Sequence, residues 1–289
     1  MLPYETVKAL FTTPPFSIFG LQIPKLYFLS YPIFLSISFI VTLWIALYEG
    51  AKRRLRRRKI VTLWALCVAG GLIGARLWYM ALWESYSFID YMLAVFDYTK
   101  GGLASSGAFL GVAVTAVLYA KLSKTNLWAY ADLFGIAGGI TVAIARFACF
   151  FTGCCYGALA DLPWSVYYLG ALRHPTQLYE IIAGVVIFLT IGAIKHRKRF
   201  SGYFFLLFIT MYSGIRFFIE FAREEPHLGI LTYSQYIYAT FFAITMFLIL
   251  LASKERKGWQ KMVLEIAGLR PLREKPGQNK GKQKGKKKD

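Results

Sequence analysis

Acidic residues are scarce in this 289-residue chain: 15 Asp and Glu stand against 34 Lys and Arg, for a formal net charge of +19. Histidine is scarcer still, at three, and there are four cysteines. The most telling absence is charge inside long apolar runs. The stretch "YPIFLSISFIVTLWIALY" at 31–48 has none and approaches the roughly 20 residues that a bilayer-spanning helix needs. A soluble domain places polar positions between its apolar ones, so a soluble fold is excluded. Residues 1–21 carry Glu5 and several prolines and lack a basic region ahead of an apolar stretch; no cleavable signal peptide is expected. Internal symmetry is also missing, which argues against a transporter built from two related halves with broken helices.

Similar apolar runs recur near 60–83, 103–122, 127–152, 177–194, 202–222 and 232–252. About seven spans follow by length, and the fold class is all-α, a polytopic membrane protein. The basic residues set its orientation. Lys52, Arg53, Arg54, Arg56, Arg57, Arg58 and Lys59 fill the first loop, Lys121 and Lys124 the third, and Lys195, Arg197, Lys198 and Arg199 the fifth. With seven spans these loops and the tail share one face, which the positive-inside rule makes cytoplasmic. The N-terminus is then outside and the C-terminus cytoplasmic. Three segments result: an outward stretch 1–30, a helical core 31–252 with an outward-facing polar cavity, and a basic, largely disordered tail 253–289 ending "EKPGQNKGKQKGKKKD". The tail is suited to an anionic lipid surface. Nucleic acid is not an expected partner, because the charges flank membrane spans instead of lining a domain.

A few charges do not belong to the loops. Arg76, Arg146 and Arg216 lie within or near the ends of spans, where an arginine costs at least about 2.5–3.5 kcal/mol and therefore faces the bundle interior with a partner. In "YSGIRFFIEFARE" Tyr212, Arg216, Glu220 and Arg223 fall at helical spacing on one stripe, with Phe217, Phe218 and Phe221 opposite. Guanidinium groups hold phosphate oxygens well. In "RHPTQLYE" Pro175 opens a helix, placing His174 at its mouth as a possible base and Gln177 and Glu180 on its inner side. In "KGGLASSGAFLG" Gly101 and Gly102 enter a span where backbone N–H groups can meet an anion, and Gly107 and Gly111 permit close helix approach.

The order of these motifs resembles prolipoprotein diacylglyceryl transferase, from about Arg76 to Gln235. The resemblance implies transfer of the diacylglyceryl group of phosphatidylglycerol to the thiol of a lipobox cysteine in a secreted prolipoprotein, with glycerol phosphate released and no cofactor or metal. It implies Arg146 and Arg216 on the donor phosphate; Glu220 and Tyr212 would orient Arg216, and His174 or a bound water would take over as base. Gly101, Gly102, Ser106, Arg76, Gln177, Glu180 and Arg223 would contact substrate; Asp132 also falls on a family position. The chain departs from the family pattern at several places. Ser106 stands where the family has a histidine, Cys149, Thr152 and Cys154 where it has two asparagines and a glutamate, and Ala158 where it often has an arginine. A base, two amides and an acid are lost together. Two alternatives therefore stay open: a sibling transferase with another acceptor, and a non-catalytic lipid-binding protein.

The cysteines have their own reading. Cys149 is taken as a small helix-packing residue. For Cys154 and Cys155, at the outer mouth, a disulfide or reactive thiol and simple packing stand as equal readings. No histidine or acid sits at metal-ligand spacing beside them.

Overall fold

A computed structural model gives the fold and describes residues 9–12, 16–18, 21–23, 27–83, 104–152, 154–168, 171–197, 200–224 and 227–254. Its helices are α1 (Ser30–Lys52), α2 (Arg57–Trp83), α3 (Ser105–Leu122), α4 (Leu127–Thr152), α5 (Thr176–Ile194), α6 (Tyr203–Ile219) and α7 (Tyr233–Lys254). Six are long and apolar enough to cross a membrane; α3 is apolar but shorter. The chain is an all-α, multi-pass membrane protein, in agreement with the spans expected from composition. Among the described residues, four two-stranded sheets, which hydropathy does not reveal, supplement the helices. β1 (Ala9–Thr12) pairs with β4 (Tyr27–Leu29) around β2 (Phe16–Ile18) and β3 (Leu21–Ile23). β5 (Val166–Tyr168) pairs with β6 (Ala171–Arg173), and β7 (His227–Leu228) with β8 (Leu231–Thr232).

Tight turns make successive helices antiparallel. Arg54 and Lys124 take left-handed backbone, with φ of 55° and 47°. The amides of Leu55 and Thr125 then reach back to Gly50 O and Ala120 O, at 2.9 and 3.1 Å, closing α1 and α3 as Schellman turns do. The basic loops meet at this end of the bundle. Lys59 Nζ donates to Ser123 O at 3.1 Å, and Lys195 Nζ pairs with Glu49 Oε1 at 2.8 Å.

Helix α4 is central and packs against α1, α5 and α6. Its core contact joins Ile136 and Ala137 to Ile45, Ile187, Ile191 and Phe204. Large apolar side chains on the outside, such as Phe109, Leu118, Phe241 and Phe247, are exposed; in a bilayer this is the lipid face. The α4–α5 crossing depends on glycine at both helices. A Cβ on Gly139 would lie 2.5 Å from Gly184 O, and one on Gly184 would lie 2.5 Å from Gly139 O. The backbones therefore touch there, as small residues allow in lipid, and this fixes where later α4 residues stand against the start of α5. Gly107 and Gly111 do the same against Gly74 and Gly70, the close approach that the sequence pattern predicts.

Asp132 has a structural place. Its buried carboxylate accepts from the amides of Gly202, Phe204 and Phe205 at 3.0, 2.8 and 3.3 Å, and Arg53 Nη1 is 3.8 Å away. It satisfies the open N–H groups at the start of α6, to which Gly202 itself gives no side-chain cap.

Candidate active site

At the end opposite the basic loops, the last turns of α4 meet the first turns of α5 and the end of α6. Helix α4 supplies Arg146 and Cys149, α5 supplies Gln177 and Glu180, and α6 supplies Tyr212 and Arg216. Glu180 is the centre. Arg146 Nε lies 2.7 Å from its Oε2, Arg216 Nε lies 3.7 Å from it, and Tyr212 Oη donates to it at 3.3 Å. Arg216 Nη1 reaches Glu220 Oε2 at 2.6 Å, and Arg223 Nε lies 3.8 Å from Glu220 Oε1. Both carboxylates are buried, so each charge there depends on its partner.

Two sequence expectations change. The stripe of Tyr212, Arg216, Glu220 and Arg223 is not one α-helix: α6 stops at Ile219, Glu220–Ala222 form a 3-10 turn, and Arg223 is extended. Arg223 keeps its place beside Glu220 because the tighter turn still points the chain inward. Phe218 and Phe221, on the other side, are exposed as expected. Tyr212, expected to orient Arg216, donates its proton to Glu180 and acts on Arg216 through that carboxylate. A residue without any sequence signal takes part as well. Tyr238 of α7 lies under Arg216, with the guanidinium 5.3 Å from the ring centre, a cation–π contact that only tertiary packing creates.

Cys149, Cys154 and Cys155 adjoin this cluster, and all are free thiols. Their sulfurs lie within 4.8 Å of one another. Arg146 Nη1 points to Cys149 Sγ at 3.8 Å, and Thr152 Oγ1 lies 3.3 Å from Cys154 Sγ. Cys149 is buried on α4, as a packing residue is, and it also faces Arg146. Beyond Thr152 the chain reverses: Cys154 N donates to Cys149 O at 3.1 Å, and Cys155 takes φ 59°. Two buried side chains at the start of α5 hold this turn. Gln177 Nε2 donates to Cys154 O and Thr176 Oγ1 to Cys155 O, both at 2.6 Å. Hydrogen bonds from the Cys149 and Cys154 thiols push the Cys155 thiol below its ordinary range, with Arg146 and Arg223 adding to the shift.

The other expected site residues are placed differently. His174 directly follows β6, and its Nδ1 is 3.1 Å from Tyr179 Oη, which accepts from Trp164 Nε1 at 2.8 Å. Among the described residues it has no hydrogen bond to Arg146 or Arg216; it belongs to the rim. Arg173 pairs with Glu224 at 3.2 Å on the same rim. Arg76 is fully buried on α2, with its guanidinium 6.0 Å from the Tyr79 ring centre. Ser106 is exposed on α3. Gly101 and Gly102 lie outside the described residues. A groove between α2 and α3, about 530 Å³ and lined by residues such as Gly74, Trp78 and Gly111, contains no charged side chain and is separate from the arginine cluster.

Two buried acceptors remain open in the cluster. Among the described residues, Gln177 Oε1 and Glu180 Oε1 have no hydrogen-bond partner. The cluster can therefore offer guanidinium donors to an anion and two oxygens to a hydroxyl or thiol.

A family model described as prolipoprotein diacylglyceryl transferase matches residues 19–251. The chain is similar to proteins named phosphatidylglycerol–prolipoprotein diacylglyceryl transferase. One from Clostridioides difficile strain 630 is 30% identical over 223 residues, covering 77% of this chain and 88% of that one. One from Campylobacter jejuni serotype O:6 is 28% identical over 239 residues, covering 78% and 86%. One from Geobacter sulfurreducens is 34% identical over 167 residues, covering 56% and 64%. The chain belongs to the prolipoprotein diacylglyceryl transferase family.

Proposed function

We propose that this protein transfers the diacylglyceryl group of phosphatidylglycerol to the thiol of a lipobox cysteine on a prolipoprotein and releases glycerol phosphate. The observation that carries the reading is the charge of the buried cluster. Arg146, Arg216 and Arg223 give three positive charges, and Glu180 and Glu220 give two negative ones. The sum, 3 − 2 = +1, matches the single negative charge of a phosphodiester and lies within a lipid-facing bundle. Family membership and the names of the relatives support donor and acceptor.

In the reaction the acceptor sulfur attacks the glyceryl carbon bonded to the phosphate oxygen. That C–O bond breaks, and its electron pair leaves with the phosphate. A thiolate and a phosphate monoanion become a thioether and a phosphate dianion, so one more negative charge gathers on the phosphate. Arg146 and Arg216 are assigned to it, since preorganised donors are most effective where charge develops. Glu180 holds both guanidinium groups in register, Glu220 holds Arg216, and Tyr212 acts through Glu180. Gln177 Oε1 and Glu180 Oε1 are suited to the glycerol hydroxyls. His174 stays a proton carrier at the rim.

The basic loops at the far end support a cytoplasmic placement of that end, with the reaction at the outer side of a bacterial inner membrane. The lysine-rich tail would then rest on anionic lipid at the inner surface.

Mass spectrometry of a lipobox peptide incubated with the purified protein in phosphatidylglycerol vesicles tests the reading. The peptide should gain a diacylglyceryl group as glycerol phosphate appears, and Arg216→Ala should abolish both while the protein stays inserted and folded. Near-normal turnover in that variant would refute the phosphate role of Arg216. A second reading is favoured by one observation, the thiols at Cys149 and Cys154 where the family carries an amide and an acid. Lipid consumed without peptide modification would assign a sibling transferase with another acceptor.

A further inference from the structure

The transfer outlined above makes no use of the three thiols, although they border its phosphate site. We propose that Cys149, Cys154 and Cys155 bind one Zn²⁺ as thiolates, and that the fourth position takes the acceptor thiol. The second half of this inference rests on the transferase reading. The sequence alone assigns no metal, because no histidine or acid sits at ligand spacing beside the cysteines.

Geometry supports the site. Tetrahedral zinc with Zn–S bonds of about 2.3 Å places sulfurs about 3.8 Å apart. The three sulfurs already lie within 4.8 Å of one another, so side-chain adjustment of about 1 Å closes the set. Among the described residues no fourth histidine, cysteine or carboxylate joins the group. Three protein ligands with one open position is the arrangement of catalytic zinc, whereas structural zinc has four.

The ligands are also held in advance. Cys155 takes left-handed backbone, which a non-glycine residue keeps where its surroundings hold it. Here the enforcing groups are the buried Gln177 and Thr176, each donating to a cysteine carbonyl at 2.6 Å. A disulfide between two of the cysteines would leave the third without a part. Arg146 Nη1, 3.8 Å from Cys149 Sγ, is placed to donate to that thiolate.

The site supplies what the substitution at Ser106 removes. Zinc binds thiols as thiolates and releases their protons, so the acceptor is ionised near neutral pH without a base beside it. Its proton passes to water at the mouth as the Zn–S bond forms. The bound sulfur attacks the glyceryl carbon, the C–O bond to phosphate breaks with its electron pair on oxygen, and the uncharged thioether leaves as a poorer ligand. Arg146 joins the two halves: Nη1 faces Cys149 and Nε faces Glu180.

The test uses the full-length protein, purified in detergent without chelator. Elemental analysis should find about one zinc per chain, with about three sulfurs at about 2.3 Å by X-ray absorption. Cys149→Ser, Cys154→Ser and Cys155→Ser should each lose at least tenfold in zinc content, while Cys67→Ser, on α2, should keep it. Cobalt(II)-substituted protein should change its thiolate charge-transfer spectrum when a lipobox peptide with cysteine is added, and not with the serine peptide. Removing zinc from the wild type by chelation should stop transfer, and zinc should restore it, a check that holds even if a serine variant fails to fold. Zinc-free protein that transfers at full rate would overturn the inference and leave the transferase reading standing. Bound zinc whose cobalt spectrum ignores the cysteine peptide would overturn the activation role. A spectrum that responds to the thiol in a protein that modifies no peptide would support the site and refute the transferase reading.

Discussion

Glu180→Gln is the most searching perturbation of the cluster. Glutamine keeps the shape of the side chain and an acceptor oxygen, so the change removes charge and little else. The carboxylate contacts Arg146 at 2.7 Å and Arg216 at 3.7 Å, and its side chain is 1% exposed. A unit pair about 4 Å apart at an effective dielectric of about 20 is worth about 4 kcal/mol. Breaking a buried pair by removing one partner costs about 3–5 kcal/mol. Retention of the acceptor points to the lower end, about 3 kcal/mol. At about 2–4 °C per kcal/mol for larger domains, thermal unfolding in detergent, followed by tryptophan fluorescence, should shift down by roughly 6–12 °C. Turnover should fall by more, about 10²-fold, because the two guanidinium groups proposed to hold the phosphate lose their common anchor and a displacement near 1 Å is enough for that loss. A double-mutant cycle with Arg146→Met should show coupling of about 1–3 kcal/mol. A shift under about 2 °C with turnover retained, or a cycle without coupling, would refute the view that Glu180 organises the site.

Two further variants separate scaffold from chemistry. Asp132→Ala removes a carboxylate that accepts three backbone amides at the start of α6; stability should drop by about 2–3 kcal/mol, read by thermal unfolding, while turnover per folded molecule is kept. Ser106→His places the family's histidine on an exposed position of α3. Peptide modification should proceed at an unchanged rate, because thiol activation has moved to another part of the site; a rise would show that the position still serves as the base.

Much of this molecule can be read without coordinates. Spans and turns follow from composition, since apolar runs near 20 residues have one use in a bilayer and their basic connections one preferred side. Gly107 and Gly111 were readable as contact points, and Arg146 and Arg216 as interior charges, because an unpaired arginine in lipid is too costly to keep. The boundary at Ile219 was not readable, since the spacing of Arg216, Glu220 and Arg223 fits an α-helix as well as the 3-10 turn that forms. Tyr238 was invisible for another reason: a tyrosine in an apolar helix has no sequence mark that tells cation–π partner from lipid-facing ring.

The sequence by itself determined which residue types are present and how deep each lies, because helix length and hydropathy respond to local composition alone. It also carried the order of motifs by which the family is recognised. Tertiary structure decided the partners. Glu180 meets Arg146 because Gly139 and Gly184 let two backbones touch, a contact 45 residues apart in the chain. Cys149 meets Cys154 and Cys155 because the chain reverses after Thr152 through a left-handed residue held by α5. Neither contact follows from spacing, since each depends on a distant backbone arriving at van der Waals distance.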